Sequence, residues 1–144
     1  MPNTDTADID LTDALQTTGT RLVVLMYDGC IGALNKALAD IEAGDLEGRC
    51  KAVNMAVDIL AQLTNSLNME KGGQIAENLN NLYRFMISRL QRVNLLNDPQ
   101  PARDVLRILD PLYNAWRRLD EQLSEAAVAS RQAQAARPPV RAVG

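Results

Sequence analysis

An antiparallel up-down bundle of four α-helices is the fold this sequence predicts, and three observations predict it. Of the 144 residues, 47% are apolar but only 3% aromatic, and the wealth of Leu and Ala favours helices, because these residues lose little conformational freedom there. Apolar residues recur at three- and four-residue spacing through four segments of roughly 22 to 28 residues, as one buried helix face requires. Gly- and Pro-rich breaks separate the segments, and such short connections make antiparallel neighbours the economical arrangement. A chain of this length fits one domain with one core.

The elements follow in order. Residues 1–17 are polar and acidic, with isolated Ile9, Leu11 and Leu15; they read as a mobile N-terminal arm with the potential for a short extra helix. Residues 18–43 carry the stripe Val23, Met26, Tyr27, Cys30, Ala33, Leu34, Ala37 and Ile41. Gly44-Asp45 ends this helix and caps the next, whose inward stripe is Leu46, Cys50, Val53, Val57, Leu60 and Leu67, ending near Asn68. Gly72-Gly73 supplies a turn. The third helix, residues 74–96, carries Ile75, Leu79, Leu82, Met86, Leu90 and Val93, and Asn97-Asp98-Pro99-Gln100-Pro101 breaks it. The fourth buries Val105, Ile108, Leu112, Ala115, Trp116, Leu119, Leu123 and Ala126, with a kink expected at Pro111, which lacks an N–H. From Ala129 no apolar period remains, so residues 129–144 read as a disordered tail behind a bundle domain of residues 18–128.

Most chemistry drops out on composition. There is no histidine, so the usual proton shuttle, a Cys-His pair and a Ser-His-Asp triad are missing. A di-iron bundle needs inward carboxylates with Glu-x-x-His pairs, whereas Glu42, Glu47, Asp58 and Glu77 fall on polar faces; no metal and no cofactor are expected. Cys30 and Cys50 sit inside helical patterns and read as free thiols in core packing. Gly72-Gly73 matches neither phosphate-binding glycine signature. The net charge of −3 argues against nucleic acid, and Arg84, Arg89 and Arg92 scatter round their helix as a solvated face does. With no apolar leader and no 18-residue apolar run, the expectation is a cytoplasmic protein with no membrane insertion. An enzyme using carboxylates alone is the remaining catalytic alternative, and the lack of inward acids speaks against it.

What stands out is an apolar surplus. On the second helix Ala52, Met55, Ile59 and Leu63 continue the apolar surface beyond Val53, Val57 and Leu60, and outlying apolar residues occur elsewhere: Val24 with Ile31, Phe85 with Leu96, Leu106 with Tyr113. Either the second helix packs against two neighbours and hides its flank, or these residues line grooves for an amphipathic partner. Under the second reading the contact candidates are Met55, Ile59, Leu63, Leu106 and Tyr113. Methionines such as Met55 and Met69 suit an adaptable surface.

Leu25-Met26-Tyr27-Asp28-Gly29-Cys30 resembles the LxYDGA signature of the FliS family of flagellin-specific export chaperones. Met69-Glu70-Lys71-Gly72-Gly73, Ile75-Ala76, Asn78-Leu79, Leu82-Tyr83 and Met86 resemble its MEKGGEIAxNLxxLYxYM block, and Asn97-Asp98-Pro99 and Ala115-Trp116 fall where the family has an NDP turn and an AW pair. The resemblance spans residues 20–120. It implies an antiparallel helical bundle, not an enzyme, which holds the C-terminal segment of flagellin one to one, wrapped as helices and extended stretches around the chaperone, and keeps it from polymerising before type III secretion. The chaperone itself would be a monomer or weak homodimer, with an export-gate component as a further partner. The N-terminus departs from the family, which begins with tyrosines and a TASPxxLI lead; here stand Asp8-Ile9-Asp10-Leu11 and Thr17-Thr18-Gly19-Thr20-Arg21-Leu22-Val23. The groove-covering and gate-docking roles of the family's tyrosine arm are therefore not carried over, although Ile9, Leu11 and Leu15 could form a weaker plug. The alternative from a different class is a helical adaptor for an unrelated amphipathic helix.

Overall fold

A computed structural model describes the backbone of residues 4–136 and the side chains of residues 19–136. Four helices follow one another: α1 (Thr4–Ala43), α2 (Leu46–Asn65), α3 (Met69–Leu96) and α4 (Gln100–Ala136). Each packs against its neighbours in the chain, and α4 closes the ring against α1, while the backbones of the diagonal helices stay apart. This is the up-down four-helix bundle expected from the periodicity, with no strand among the described residues.

Local chemistry sets each boundary. Gly44 adopts φ +72°, and a pair of backbone bonds, Asp45 N–H to the Asp40 carbonyl at 2.8 Å and Gly44 N–H to that of Ile41 at 3.1 Å, closes α1 in a Schellman motif. The Asp45 carboxylate then accepts the Gly48 N–H at 2.9 Å and caps α2. Asn68 does the same for α3, accepting the Lys71 N–H at 3.0 Å. The Gly-Gly pair is not the loop before α3 but lies within it: α3 starts at Met69, and the break falls at Gly73, with φ +51° and ψ −128°, a conformation that glycine alone adopts cheaply. Asn97, at φ 52°, ends α3. Pro101 sits in the first turn of α4, where a missing N–H costs nothing. Pro111 lies in the interior, yet α4 continues through it as one helix.

The core holds Tyr27, Cys30, Leu34 and Ala37 of α1, Val53, Ala56, Leu60 and Leu63 of α2, Tyr83, Met86, Leu90 and Val93 of α3, and Ala102, Val105 and Leu109 of α4. Five residues expected inside are outside, Ala115 and Ala126 of α4 among them. Leu46 is 55% exposed at the first turn of α2, beyond the packed layers, and Leu119 is 40% exposed. Ile75 is 72% exposed, with Ala76 buried beside it, shortly after the Gly73 break. The helix α4 extends past residue 128 to Ala136, with residues 129–136 exposed; the remainder of the expected tail, residues 137–144, lies outside the described residues. From Thr4 on, the residues read as an arm are helical backbone continuous with α1, and residues 1–3 also lie outside. By length and composition alone, Gly19–Ala43 is apolar enough to cross a membrane, which the sequence reading did not anticipate; in the bundle its large apolar side chains Tyr27 and Leu34 are core.

Candidate partner-binding cleft

With 40 and 37 residues, α1 and α4 are longer than α2 and α3, with 20 and 28. The chain turns at one end of the bundle pair all four helices, so at the other end α1 and α4 run on past the junction of α2 and α3. A cleft of about 270 Å³ opens at that junction. Its walls are Leu63 and Leu67 from the end of α2, then Ile75, Ala76, Leu79 and Tyr83 from α3; Val23 of α1 and Trp116 of α4 face them. Ser66, Asn68 and Gly72 complete the lining, and no lining residue is charged. Such a concave apolar surface with a few polar atoms at its edge is what a partner's apolar side chains require.

Beneath the cleft lies a hydrogen-bonded aromatic group. The hydroxyls of Tyr27 and Tyr83 are 2.7 Å apart, and their rings pack edge to face with centroids 6.4 Å apart. Burial pushes both phenols above the ordinary tyrosine range; for Tyr83 the bond to Tyr27 adds to the shift. The nearby Cys30 thiol, pushed up to about 12 by burial, donates a long hydrogen bond of 3.8 Å to the Ala56 carbonyl. Neither Cys30 nor Cys50 is in a disulfide. No group of three or more metal-ligating side chains occurs among the described residues.

The five contact candidates do not converge on one surface. Leu63 is only 2% exposed: α2 packs against both α1 and α3, so its buried arc is wide and takes in Ala52 and Leu63, correcting their placement on an open flank. Leu63 reaches the cleft only as part of its wall. Met55 is exposed, and half-buried Ile59 lies against α1, where a Cβ on Gly29 would stand 3.3 Å from its Cδ1. With the exposed Leu22 and Leu25 they make an apolar strip along the α1–α2 side. Leu106 and Tyr113 are both half-buried on α4; the Asp28 carboxylate raises the Tyr113 phenol above its ordinary range, and the Arg117 guanidinium sits 5.6 Å over the Tyr113 ring.

Four of the motif residues gather at the cleft. Gly72, Leu79 and Tyr83 line it, Tyr27 underlies it, and Gly29 seats Ile59. Met69 and Glu70 occupy the exposed first turn of α3, and Asn78 accepts a bond from Gln74 at 2.8 Å on the outer face. The wall residues Val23, Leu67, Ile75 and Trp116 share the helical spacing of the core stripes, and no local sequence signal separates them from the core.

A helical bundle that opens an uncharged apolar cleft at one end has a surface of the kind that takes apolar side chains of another molecule. The family model described as "Flagellar protein FliS" matches residues 6–123. The flagellar secretion chaperone FliS of Salmonella typhimurium is 36% identical over 105 residues, 72% of this chain and 78% of the relative. That of Vibrio cholerae is 34% identical over 96 residues, 67% and 71% of the two chains. The Campylobacter jejuni protein is 32% identical over 97 residues, 67% and 76%. The chain belongs to the FliS family of flagellar secretion chaperones.

Proposed function

We propose that this protein binds the C-terminal segment of flagellin one to one in the cytoplasm, blocks its polymerisation by occupying the surface that would polymerise, and holds it ready for flagellar type III secretion. The observation that carries the reading is the cleft itself: the family's own sequence block walls an uncharged apolar recess, and Ile75 stands 72% exposed at it. An exposed large aliphatic residue beside a concave apolar wall favours burial by a partner. The strip of Met55 and Ile59 and the half-buried Leu106 and Tyr113 would extend the contact round the bundle, as wrapping by an initially disordered segment requires. The ordering entropy of the segment is offset by the apolar area it buries.

Titration calorimetry with the C-terminal segment of a flagellin from the same genome tests this. One-to-one binding with a strongly negative heat-capacity change is expected, weakened by about tenfold or more in Ile75→Asp. Absence of binding by folded protein would overturn the reading.

A further inference from the structure

Two consecutive glycines stand at the break in α3, and the structure requires each for a different reason. Gly73 takes φ +51° and ψ −128°, the first-corner geometry of a type II′ turn, which a residue with a β-carbon adopts only under strain. Gly72 keeps helical angles, yet a β-carbon on it would stand 2.6 Å from that of Ala76. Residues four apart on an uninterrupted helix keep their β-carbons about 5 to 6 Å apart, and two carbons in contact need about 3.5 to 4 Å. At the break, the turn before Gly73 is therefore folded against the turn after it. Positions 72 and 76 have room for one methyl between them, and Ala76, 4% exposed, holds it. Both sides of the break line the cleft, Asn68 and Gly72 before it, Ile75, Ala76 and Leu79 after it. The first of these turns is closed by its own cap: the Asn68 side chain accepts the Lys71 N–H at 3.0 Å, and the Asn68 carbonyl accepts that of Gly72 at 2.8 Å. Its side chains Met69, Glu70 and Lys71 are exposed, so they do not anchor it in the core; the close approach of Gly72 to Ala76 is what seats it.

We propose that Gly72 is a positioning residue of the partner-binding cleft: its missing side chain lets the capped turn of residues 69–72 seat on Ala76, and that seat fixes the wall which Asn68 and Ile75 present to the bound segment. The inference deepens the proposed function and rests on it for its binding arm only. The two glycines then have separable roles, Gly73 supplying the backbone angle and Gly72 the space.

The test moves the methyl from one position to the other in the full chain. In Gly72→Ala the turn must lift off Ala76, so the amides of residues 69–76 exchange with deuterium about tenfold faster than in the parent. The C-terminal flagellin segment binds about tenfold more weakly by calorimetry. The melting temperature stays close to the parent's, because the exposed turn can move without unpacking Tyr83, Met86 or Leu90. Adding Ala76→Gly to Gly72→Ala returns exchange and affinity to within about twofold of the parent. An independent second change would only remove another cleft methyl and weaken binding again, so recovery reports shared space. Should Gly72→Ala fail to fold, recovery of the fold in the double variant decides the same way. Parent-like exchange and affinity in Gly72→Ala would overturn the proposal, as would a double variant no better than Gly72→Ala. Faster exchange with unchanged affinity would leave Gly72 a structural glycine and overturn its positioning role. If the parent binds no flagellin segment, the proposed function fails by itself, and the exchange arm still decides whether Gly72 seats the turn.

Discussion

The hydroxyls of Tyr27 and Tyr83 meet 2.7 Å apart across the diagonal of the bundle, joining α1 and α3, whose backbones do not approach each other. Both residues are fully buried, so neither oxygen has water to fall back on. Tyr83→Phe should cost about 1 to 3 kcal/mol, the range for leaving a buried polar partner unsatisfied, measured by urea unfolding. Replacing both by Phe should cost less than the sum of the single changes, since no orphan is then left.

The same pair fixes the alkaline limit of the fold. Burial raises both phenols above the unfolded value, so the folded state keeps protons that the unfolded chain releases. Their contribution is fully present below about pH 10 and is lost as pH rises beyond it. Absorbance at 295 nm should show Tyr27 and Tyr83 ionising only together with unfolding, and Tyr27→Phe/Tyr83→Phe should flatten the stability loss above that pH.

Leu63 and Ile75 separate packing from binding. Leu63→Ala opens a cavity in a side chain 2% exposed and should destabilise by about 2 to 5 kcal/mol. Ile75→Asp places a charge on a residue 72% exposed and should leave the melting temperature within about a degree or two, since surface substitutions rarely exceed about 0.5 kcal/mol. The two outcomes exchanged, by circular dichroism melting, would mean that the cleft is not where these side chains place it.

These contrasts show what periodicity can and cannot reveal. Tyr27, Leu34, Val53, Leu90 and Val105 were legible because each repeats at helical spacing on a helix with one clear inward face. Leu63 was misplaced because the buried arc of α2 is set by two neighbours, which a single-helix projection does not contain. Ile75 was misplaced because helical spacing alone does not show that it stands at the open end of α3, beside the cleft. The cleft itself was not legible at all, since it arises where two helices stop and two continue; Trp116 and Val23 look like ordinary stripe residues until that unevenness is built in three dimensions.

Acid should loosen the α3–α4 pair through Asp104. Its carboxyl is held below the usual aspartate range, first by the Gln100 amide, which donates at 2.8 Å, and then by Arg89. A depressed folded value contributes stability that is present above the unfolded pKa and lost as pH falls through the folded one. The loss should thus begin near pH 4 and continue below it. Asp104→Asn should remove that part of the acid limb in a pH series of thermal melts, with little change near neutrality beyond the loss of an exposed ion pair.

Asn97 sets two effects against each other. It ends α3 at φ 52°, where glycine is ordinarily the better residue by up to about 1 kcal/mol. Its side-chain oxygen, however, accepts from Arg49, a guanidinium only 6% exposed with no carboxylate in ion-pair range among the described residues and with its Nε already lacking a partner. Arg49 also reaches the Asn94 carbonyl at 3.3 Å. A hydrogen bond to a charged group contributes about 1.5 to 3 kcal/mol, more than the backbone gain. Asn97→Gly should therefore destabilise, against the usual rule for such positions. In an Arg49→Met background, where no buried charge needs the oxygen, the same substitution should become neutral or stabilising. Chemical denaturation of the four variants measures the reversal, and a stabilising Asn97→Gly in the parent would show that the Arg49 contact contributes less than the relief of backbone strain.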